Sequence, residues 1–455
     1  MKVTRLAALF GLSSLLASTA LAQTPVAPKP GIEKVGHIIV FYLENRAFDN
    51  LYGLFPGANG LANAGAAATQ VDKDGKPYDK LPPVLDTSTN PPKPDPRFPA
   101  DLPNGPFKVN DIVSVEEKTG DLVHRFYNEQ LQIDGGKMDK YVAYSDASSL
   151  VMNYYDGSKL PLWNYAKQYV LMDNFFHAAF GGSFLNHFWL VCACSPRWDN
   201  APDKFVAKLD DKGNLISDGQ VTPDGYAVNT SFSVYQPHPA KFDADKSQLV
   251  PPQDMPNIGD RLSEKNVSWA WYSGGWNDAV AGHPAPLFQF HHQPFAYFKN
   301  YGDGTPGRAA HLKDYLDLVN DIRNNTLPQV VFYKPIGELN EHNGYANVLD
   351  GDQHVVDLIE KIQATPAWND SVIIVTYDEN GGLWDHVAPP KTDKWGPGTR
   401  IPTLLISPLA KKGFVDHTEY DTTSILKLIE TRYGLVPLGT RDAAVNDMTN
   451  ALDLQ

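Results

Sequence analysis

The run Ser371-Val-Ile-Ile-Val-Thr-Tyr377 is apolar and β-branched, and it stops abruptly at Asp378-Glu379. Gly381-Gly382 follows, and Asp385-His386 comes one short loop later. Runs of this kind are buried strands of a parallel sheet. Carboxylates at the carboxyl end of such a strand stand where open α/β folds place their ligands. Two packed anions repel, so Asp378 and Glu379 need a cation or a shared proton. The segment therefore reads as a metal site on an α/β fold.

The same grammar recurs along the chain. Val35-Gly-His-Ile-Ile-Val-Phe-Tyr-Leu43 is a strand ending in Glu44-Asn45-Arg46. Further strands are expected at 169–173, 267–272, 329–333 and 400–407, and helices at 160–168, 183–193, 311–324, 355–364 and about 421–432. In the 311–324 helix, Leu312, Tyr315, Leu316 and Val319 fall at helical spacing. This alternation predicts an α/β fold with a mostly parallel central sheet flanked by helices and interrupted by long loop insertions. Residues from about 54 to 107, rich in Gly, Ala and Pro, read as irregular surface chain rather than core. Residues 195–260 are polar and turn-rich and read as a second insertion. The expected organisation is a leader over 1–22 followed by one domain over 23–455.

That leader has a basic start at Lys2 and Arg5, an Ala/Leu-rich centre and a small-x-small site before Gln23. It reads as a secretory signal peptide, so the mature protein is expected to be secreted or periplasmic. Later segments are too short and too polar to insert stably in a membrane. The net charge of −14 disfavours nucleic acid or an anionic bilayer as a partner held by bulk charge. An anionic substrate then needs a local cationic site. The two cysteines, Cys192 and Cys194, are separated by one residue. A bridge that short is strained, so two buried thiols are expected.

Glu44-Asn45 alone reads as a cap or turn. With Asp378 and Glu379 it makes an all-oxygen set suited to a hard divalent cation. In Phe180-Gly-Gly-Ser-Phe-Leu-Asn-His187, Ser183 follows two glycines at the start of a helix. Such a serine can be a plain cap. Beside a cation it can ionise and act as a nucleophile, in a helix N-terminal field that favours anions. His124, His291-His292 and His342 lie in polar loops; converging on the serine, they would bind an oxyanion and supply general acid chemistry. Such chemistry works near neutral or mildly acidic pH.

At these residues the chain resembles the bacterial phospholipase C/acid phosphatase family, a branch of the alkaline-phosphatase-like superfamily. The matching pieces are 37–53, Asp121-Leu-Val-His-Arg125 with Gly136-Lys-Met-Asp139, Asp173-Asn-Phe-Phe176 with 181–187, and Phe290-His-His-Gln-Pro294. Glu341-His342 with Gly351, Tyr377 to Pro390, and Ile401 to Pro408 complete the series. Together they span residues 37 to about 433. The resemblance implies a metal site of Glu44, Asn45, Ser183, Asp378 and Glu379, with Ca²⁺, Mg²⁺ or Mn²⁺ as the ion. It implies a phosphoryl pocket of Asn45, His124, His292 and His342, with His291 as a further candidate and Ser183 as the nucleophile.

Within that family the acid phosphatase branch matches better. The Gly-Gly-Ser-Phe-Leu-Asn-His pattern and the double histidine both stand here, whereas the phospholipase C branch tends to carry threonine at the nucleophile. Gln455 also comes soon after the core, without the C-terminal β-domains of the larger phospholipases C. The expectation is a metal-dependent acid phosphatase that acts on small phosphate esters through a phosphoserine, with His342 as a candidate acid. The alternatives are a phospholipase C cleaving phosphodiester head groups and an inactive phosphate- or lipid-binding protein. The resemblance leaves the roles of Asp385 and His386 open.

Overall fold

The computed structural model describes residues 24–455. The expected leader over 1–22 lies outside the described residues. The central sheet is built from β1 (His37–Leu43), β2 (Val170–Met172), β3 (Trp269–Ser273), β4 (Leu312–Asp314), β5 (Val330–Lys334), β6 (Ser371–Tyr377), β7 (Thr403–Ile406) and β8 (Phe414–Asp416). Their spatial order is β4-β3-β5-β1-β6-β7-β2-β8. Only β7 runs antiparallel to its neighbours; every other pairing is parallel. The fold is thus α/β with a mostly parallel sheet, as the alternating pattern predicts.

Helices α1 (Phe126–Ile133), α2 (Pro161–Gln168), α3 (Ser183–Cys192), α4 (Tyr315–Asn324), α5 (Val348–Gln363) and α6 (Thr423–Tyr433) flank it. Helix α2 packs on α5, and α3 on α6. Every residue of β6, and every residue of β1 after His37, is buried. A strand buried on both faces explains why these runs are continuously apolar rather than alternating. Fully burying each Ile or Val side chain is worth about 1.5–3 kcal/mol.

Register decides where the chemistry sits. Leu43 of β1 pairs with Tyr377 of β6, and Phe41 of β1 with Tyr333 of β5. The three strands therefore end side by side, with Glu44, Asp378 and Lys334 at neighbouring tips. The chain leaves β1 at the point where strand order departs in both directions, the topological position at which open α/β sheets bind ligands.

Several expectations are corrected. The helix expected over 311–324 is broken: Pro306–His311 is a separate short helix, Leu312–Asp314 pairs at the sheet edge with Trp271–Ser273, and α4 starts only at Tyr315. Asp314 imposes the break, because its carboxylate accepts from the Leu316 N–H while Asp317 reaches back to the Asp314 N–H, a capping box. Leu316, placed on the apolar face by spacing, is 63% exposed. Helix α5 begins at Val348, well before Val355, behind an Asn347 cap. The 54–107 segment is not merely surface: Leu81, Val84, Phe98 and Phe107 are buried in the core. Cys192 and Cys194 form a disulfide, not two thiols; Ala193 between them adopts a left-handed conformation that ends α3 and brings the two Cα atoms to 5.1 Å.

Asp352 of α5 is buried and accepts from the Leu162 N–H in the first turn of α2 at 2.9 Å. Burial pushes its carboxyl up to about 7, against the opposing pull of that hydrogen bond. A folded-state value above the unfolded one means stability that is present at low pH and lost as pH rises through about 7. Asp352→Asn keeps an acceptor oxygen and removes the buried charge. It should raise the melting temperature at about pH 8, by at most about 4 kcal/mol of stability, and do far less at about pH 4. Equal shifts at the two pH values would contradict this assignment.

Candidate active site

Asn45 leaves β1 with a positive φ of 57°. This turn is held by Asp378, whose Oδ1 accepts from the Asn45 and Glu379 backbone N–H groups at 3.2 and 2.9 Å. The Arg46 N–H donates to the Glu379 carbonyl at 3.0 Å, and the Glu44 N–H to the Asn340 carbonyl at 2.8 Å. The second bond ties the β1 tip to the loop carrying His342. Tertiary bonding thus fixes both strand tips.

Ser183 reaches them from the opposite side. Gly181 has φ +84°, and a Cβ there would lie 2.4 Å from the Phe126 nitrogen, so only glycine fits. The Glu129 carboxylate, itself bonded to His177 at 2.9 Å, accepts from the Gly181 N–H at 2.6 Å. Asn186, one turn into α3, donates to the Ala179, Gly181 and Gly182 carbonyls. Ser183 is the first residue of α3, and no side chain caps the helix. The plain-cap reading therefore fails. Its hydroxyl instead lies 3.1 Å from Glu44 Oε2, 3.3 Å from Glu379 Oε1 and 3.4 Å from Asn45 Oδ1.

Three carboxylates are fully buried around that hydroxyl. Burial, then the charge of Glu44, pushes Asp378 up to about 7. Burial and Asp378 push Glu379 well above the usual carboxylate range. Burial acts upward on Glu44 too, but His292 and Lys334 outweigh it and hold that carboxyl well below its ordinary value. Lys334 Nζ lies 2.5 Å from Glu44 Oε1 and 3.9 Å from Asp378 Oδ2. Glu44 thus separates two sides: Oε1 faces Lys334 and His292, and Oε2 faces Ser183. Asp378 Oδ2 has no hydrogen-bond partner among the described residues although it is buried.

Histidines close the other walls. His124 Nε2 stands 3.4 Å from Asn45 Nδ2 and 3.6 Å from Glu379 Oε1. His292 Nε2 contacts Glu44 Oε1 at 2.9 Å. The His342 ring lies edge-on to His124 at 5.5 Å, stacked on Tyr345, with Nδ1 bonded to the Asn343 carbonyl. Burial pulls His342 down to about 4 and lowers His292, His291 and His187 as well. In the free site, then, the histidinium form of these rings is disfavoured, and a bound anion would restore it. His291 packs edge-on against His292 at 4.4 Å, and its buried Nδ1 is unpartnered; it makes no hydrogen bond to the Ser183 cluster.

The residue pattern singled out Glu44, Asn45, Ser183, Asp378 and Glu379, and the fold brings all five together with His124, His292 and His342. It keeps Asp385 and His386 apart. Arg400 Nε bonds Asp385 at 2.9 Å, its Nη2 bonds Asp49 at 3.2 Å, and His386 Nδ1 contacts Asp49 at 2.6 Å. That network joins the start of β7 to the loop after β1 and supports the site from behind. Two residues went unnoticed in the sequence. Lys334 carries the same signal as Asp378, a charged residue closing an apolar strand. His187, four residues after Ser183 on α3, donates from Nδ1 to the Ser183 carbonyl at 2.7 Å and stacks on His292 at 4.9 Å.

The "Phosphoesterase family" model matches residues 35–436. The chain belongs to the phosphoesterase family. It is a phosphoric ester hydrolase. Phospholipase C B of Mycobacterium tuberculosis is 26% identical over 470 residues, covering 94% of this chain and 79% of that protein. The hemolytic phospholipase C of Pseudomonas aeruginosa is 24% identical over 507 residues, covering 99% of this chain and 60% of its own length. Among solved structures, a Vibrio parahaemolyticus protein of the alkaline phosphatase superfamily overlaps 74% of this chain and 73% of its own, with 11% identity and a TM-score of 0.35. Murine ectonucleotide pyrophosphatase/phosphodiesterase 5 overlaps 64% of this chain and 94% of its own, with 11% identity and a TM-score of 0.33.

Two groups of side chains present closely spaced ligand atoms among the described residues: Glu44, His187 and His292, and Asp49, Asp385 and His386. In the second, Arg400 already neutralises both acids. In the first, Glu44 Oε1 is already met by Lys334. The Ser183 side of Glu44 has three carboxylates, an amide oxygen and a hydroxyl, the donor set a hard divalent cation takes. An orphaned, buried Asp378 oxygen and two carboxyls forced upward in pKa fit that ion. About 1 mM Ca²⁺, Mg²⁺ or Mn²⁺ should therefore raise the melting temperature; a ligand at a hundredfold its Kd adds about 2.7 kcal/mol. Glu379→Gln should blunt the rise. No shift with any of the three ions would contradict the cation assignment.

Proposed function

We propose that the protein is an exported, metal-dependent phosphomonoesterase, an acid phosphatase that works through a phosphoserine at Ser183. The observation that carries this reading is the Ser183 hydroxyl, set at a helix N-terminus within 3.1–3.4 Å of Glu44, Asn45 and Glu379. A divalent cation held by Glu44, Asn45, Ser183, Asp378 and Glu379 would supply acidity to that hydroxyl and neutralise phosphoryl charge.

The residues divide the remaining work. Asn45 and His124 line the position of the phosphoryl oxygens, His292 instead pairs with Glu44 Oε1 on the Lys334 side, and the α3 N-terminus adds a favourable field for the anion. Ser183 Oγ passes its proton to the Glu379 carboxylate, 3.3 Å away, and forms a bond to phosphorus as the bond from phosphorus to the substrate alcohol breaks. His342, held on the Asn343 carbonyl through Nδ1 and in its histidinium form once the anion is bound, gives the departing oxygen a proton from Nε2. Water then attacks the phosphoserine, inorganic phosphate leaves, and the serine hydroxyl is restored. Lys334 keeps Glu44 ionised and so keeps an anion beside the nucleophile.

Export is supported by the leader read from residues 1–22, and among the described residues no helix is long and apolar enough to cross a membrane. The second reading, phospholipase C, is favoured by the names of the relatives. Assays on an aryl phosphate and an aryl phosphorylcholine separate the two; the proposal expects the monoester to be the better substrate, and a strong diesterase preference would overturn it. Ser183→Ala should lower kcat by at least about a thousandfold. Wild-type turnover by that variant would remove the phosphoserine step.

A further inference from the structure

A cleft of about 610 Å³ has His124 and Gly182, the neighbours of the Ser183 cluster, in its lining. That volume is within the range of small-molecule sites, roughly 300–1,000 Å³. Its lining is unusual for such a site. No Phe, Tyr or Trp contributes to it, and its only large apolar side chains are Leu122 and Val123. A quaternary ammonium head group is recognised by aromatic faces, and an acyl chain by a continuous apolar wall. Neither exists here.

Most of the charges in the cleft are committed, but the Lys118 ammonium, which also lines it, has no hydrogen bond or ion pair among the described residues. Arg97 spends its guanidinium on Asp95, at 2.6–3.0 Å, and on the Lys118 carbonyl. Arg125 is bonded to Asp218 and to the Gly219 carbonyl. Both arginines are thus spent and offer no clamp for a second phosphate. Asp121 and Asp146 each use one oxygen on a backbone N–H, of Leu122 and Val123 respectively. The second oxygen of each has no protein donor among the described residues. Free carboxylate oxygens accept from hydroxyl groups and repel anions. Thr87, Thr119 and Thr230 also line the cleft, the first two with hydroxyls that already donate to the Asp121 carbonyl and to Asn343.

We propose that the substrate is the monophosphate of a neutral, hydroxyl-rich alcohol of the sugar or sugar-alcohol class, whose hydroxyls bond to Asp121 and Asp146 in this cleft. This inference rests on the phosphomonoesterase reading and assigns its leaving group. An acyl chain meets polar side chains, and a second phosphate meets the unpaired oxygens of Asp121 and Asp146 against the single Lys118 ammonium, so both are disfavoured.

The test uses the full mature protein with added divalent cation. It compares kcat/KM for a hexose monophosphate, a hexose bisphosphate, dioleoyl phosphatidate in detergent micelles, and phenyl phosphate as a control for the chemistry. The hexose monophosphate should exceed the bisphosphate and the phosphatidate by about tenfold or more. Asp146→Asn retains an oxygen to accept from Val123, and an unchanged melting temperature checks that it folds. It should lower the ratio of hexose phosphate to phenyl phosphate turnover by about threefold or more, chiefly through KM. Turnover of phenyl phosphate with equal or better use of the bisphosphate or phosphatidate would overturn the substrate class alone. An unmoved ratio in Asp146→Asn would do the same. Failure to turn over phenyl phosphate would instead overturn the phosphomonoesterase reading beneath it.

Discussion

The repulsion among Glu44, Asp378 and Glu379, three carboxylates buried within reach of one hydroxyl, is the constraint on which the rest of the site depends. An isolated buried carboxylate is costly, and three together are costlier still unless cations or protons compensate. Lys334 supplies one positive charge and does so on one side only, at Glu44 Oε1. On the Ser183 side, Asp378 and Glu379 are pushed toward protonation. A protein that keeps such a cluster stores electrostatic energy that a divalent cation, and then a phosphoryl group, can release.

The fold fixes this cluster by ordinary means. Parallel register puts the ends of β5, β1 and β6 next to one another, so the charged residue that follows each apolar run arrives at the same place. The nucleophile comes from a different element. A left-handed Gly181, pinned by Glu129 and Asn186, sets Ser183 at the first turn of α3 and aims its hydroxyl at the strand tips. The Arg400 network with Asp49 and Asp385 lies behind both and holds the loop after β1 in place. Positioning is therefore shared among buried polar groups that never touch the phosphoryl position. Loss of any one of them would disturb the geometry rather than the chemistry.

Much of this was legible before any coordinates. Continuous β-branched runs identify the buried parallel strands, and the polar residues that end them identify the site, because both follow from burial on two faces. The metal-ligand set and the histidines came from that pattern together with the family resemblance. What pattern could not reach were features decided by tertiary contact. Asp314 stops a helix that spacing alone continues, since a carboxylate cap and edge pairing outweigh propensity. Lys334 closes its strand as Asp378 does, but a lysine in that position is usually solvated, and only register shows it buried beside Glu44. The assignment of Asp385 and His386 to a supporting network likewise needed Arg400, far enough along the chain that no local motif links them.

The most direct test is anomalous diffraction from crystals grown with Mn²⁺. The account predicts a single strong peak in contact with Ser183 Oγ and with oxygens of Glu44, Asp378 and Glu379, on the side of Glu44 away from Lys334. A peak confined to the Asp49, Asp385 and His386 group, or no peak near Ser183 at saturating metal, would contradict it.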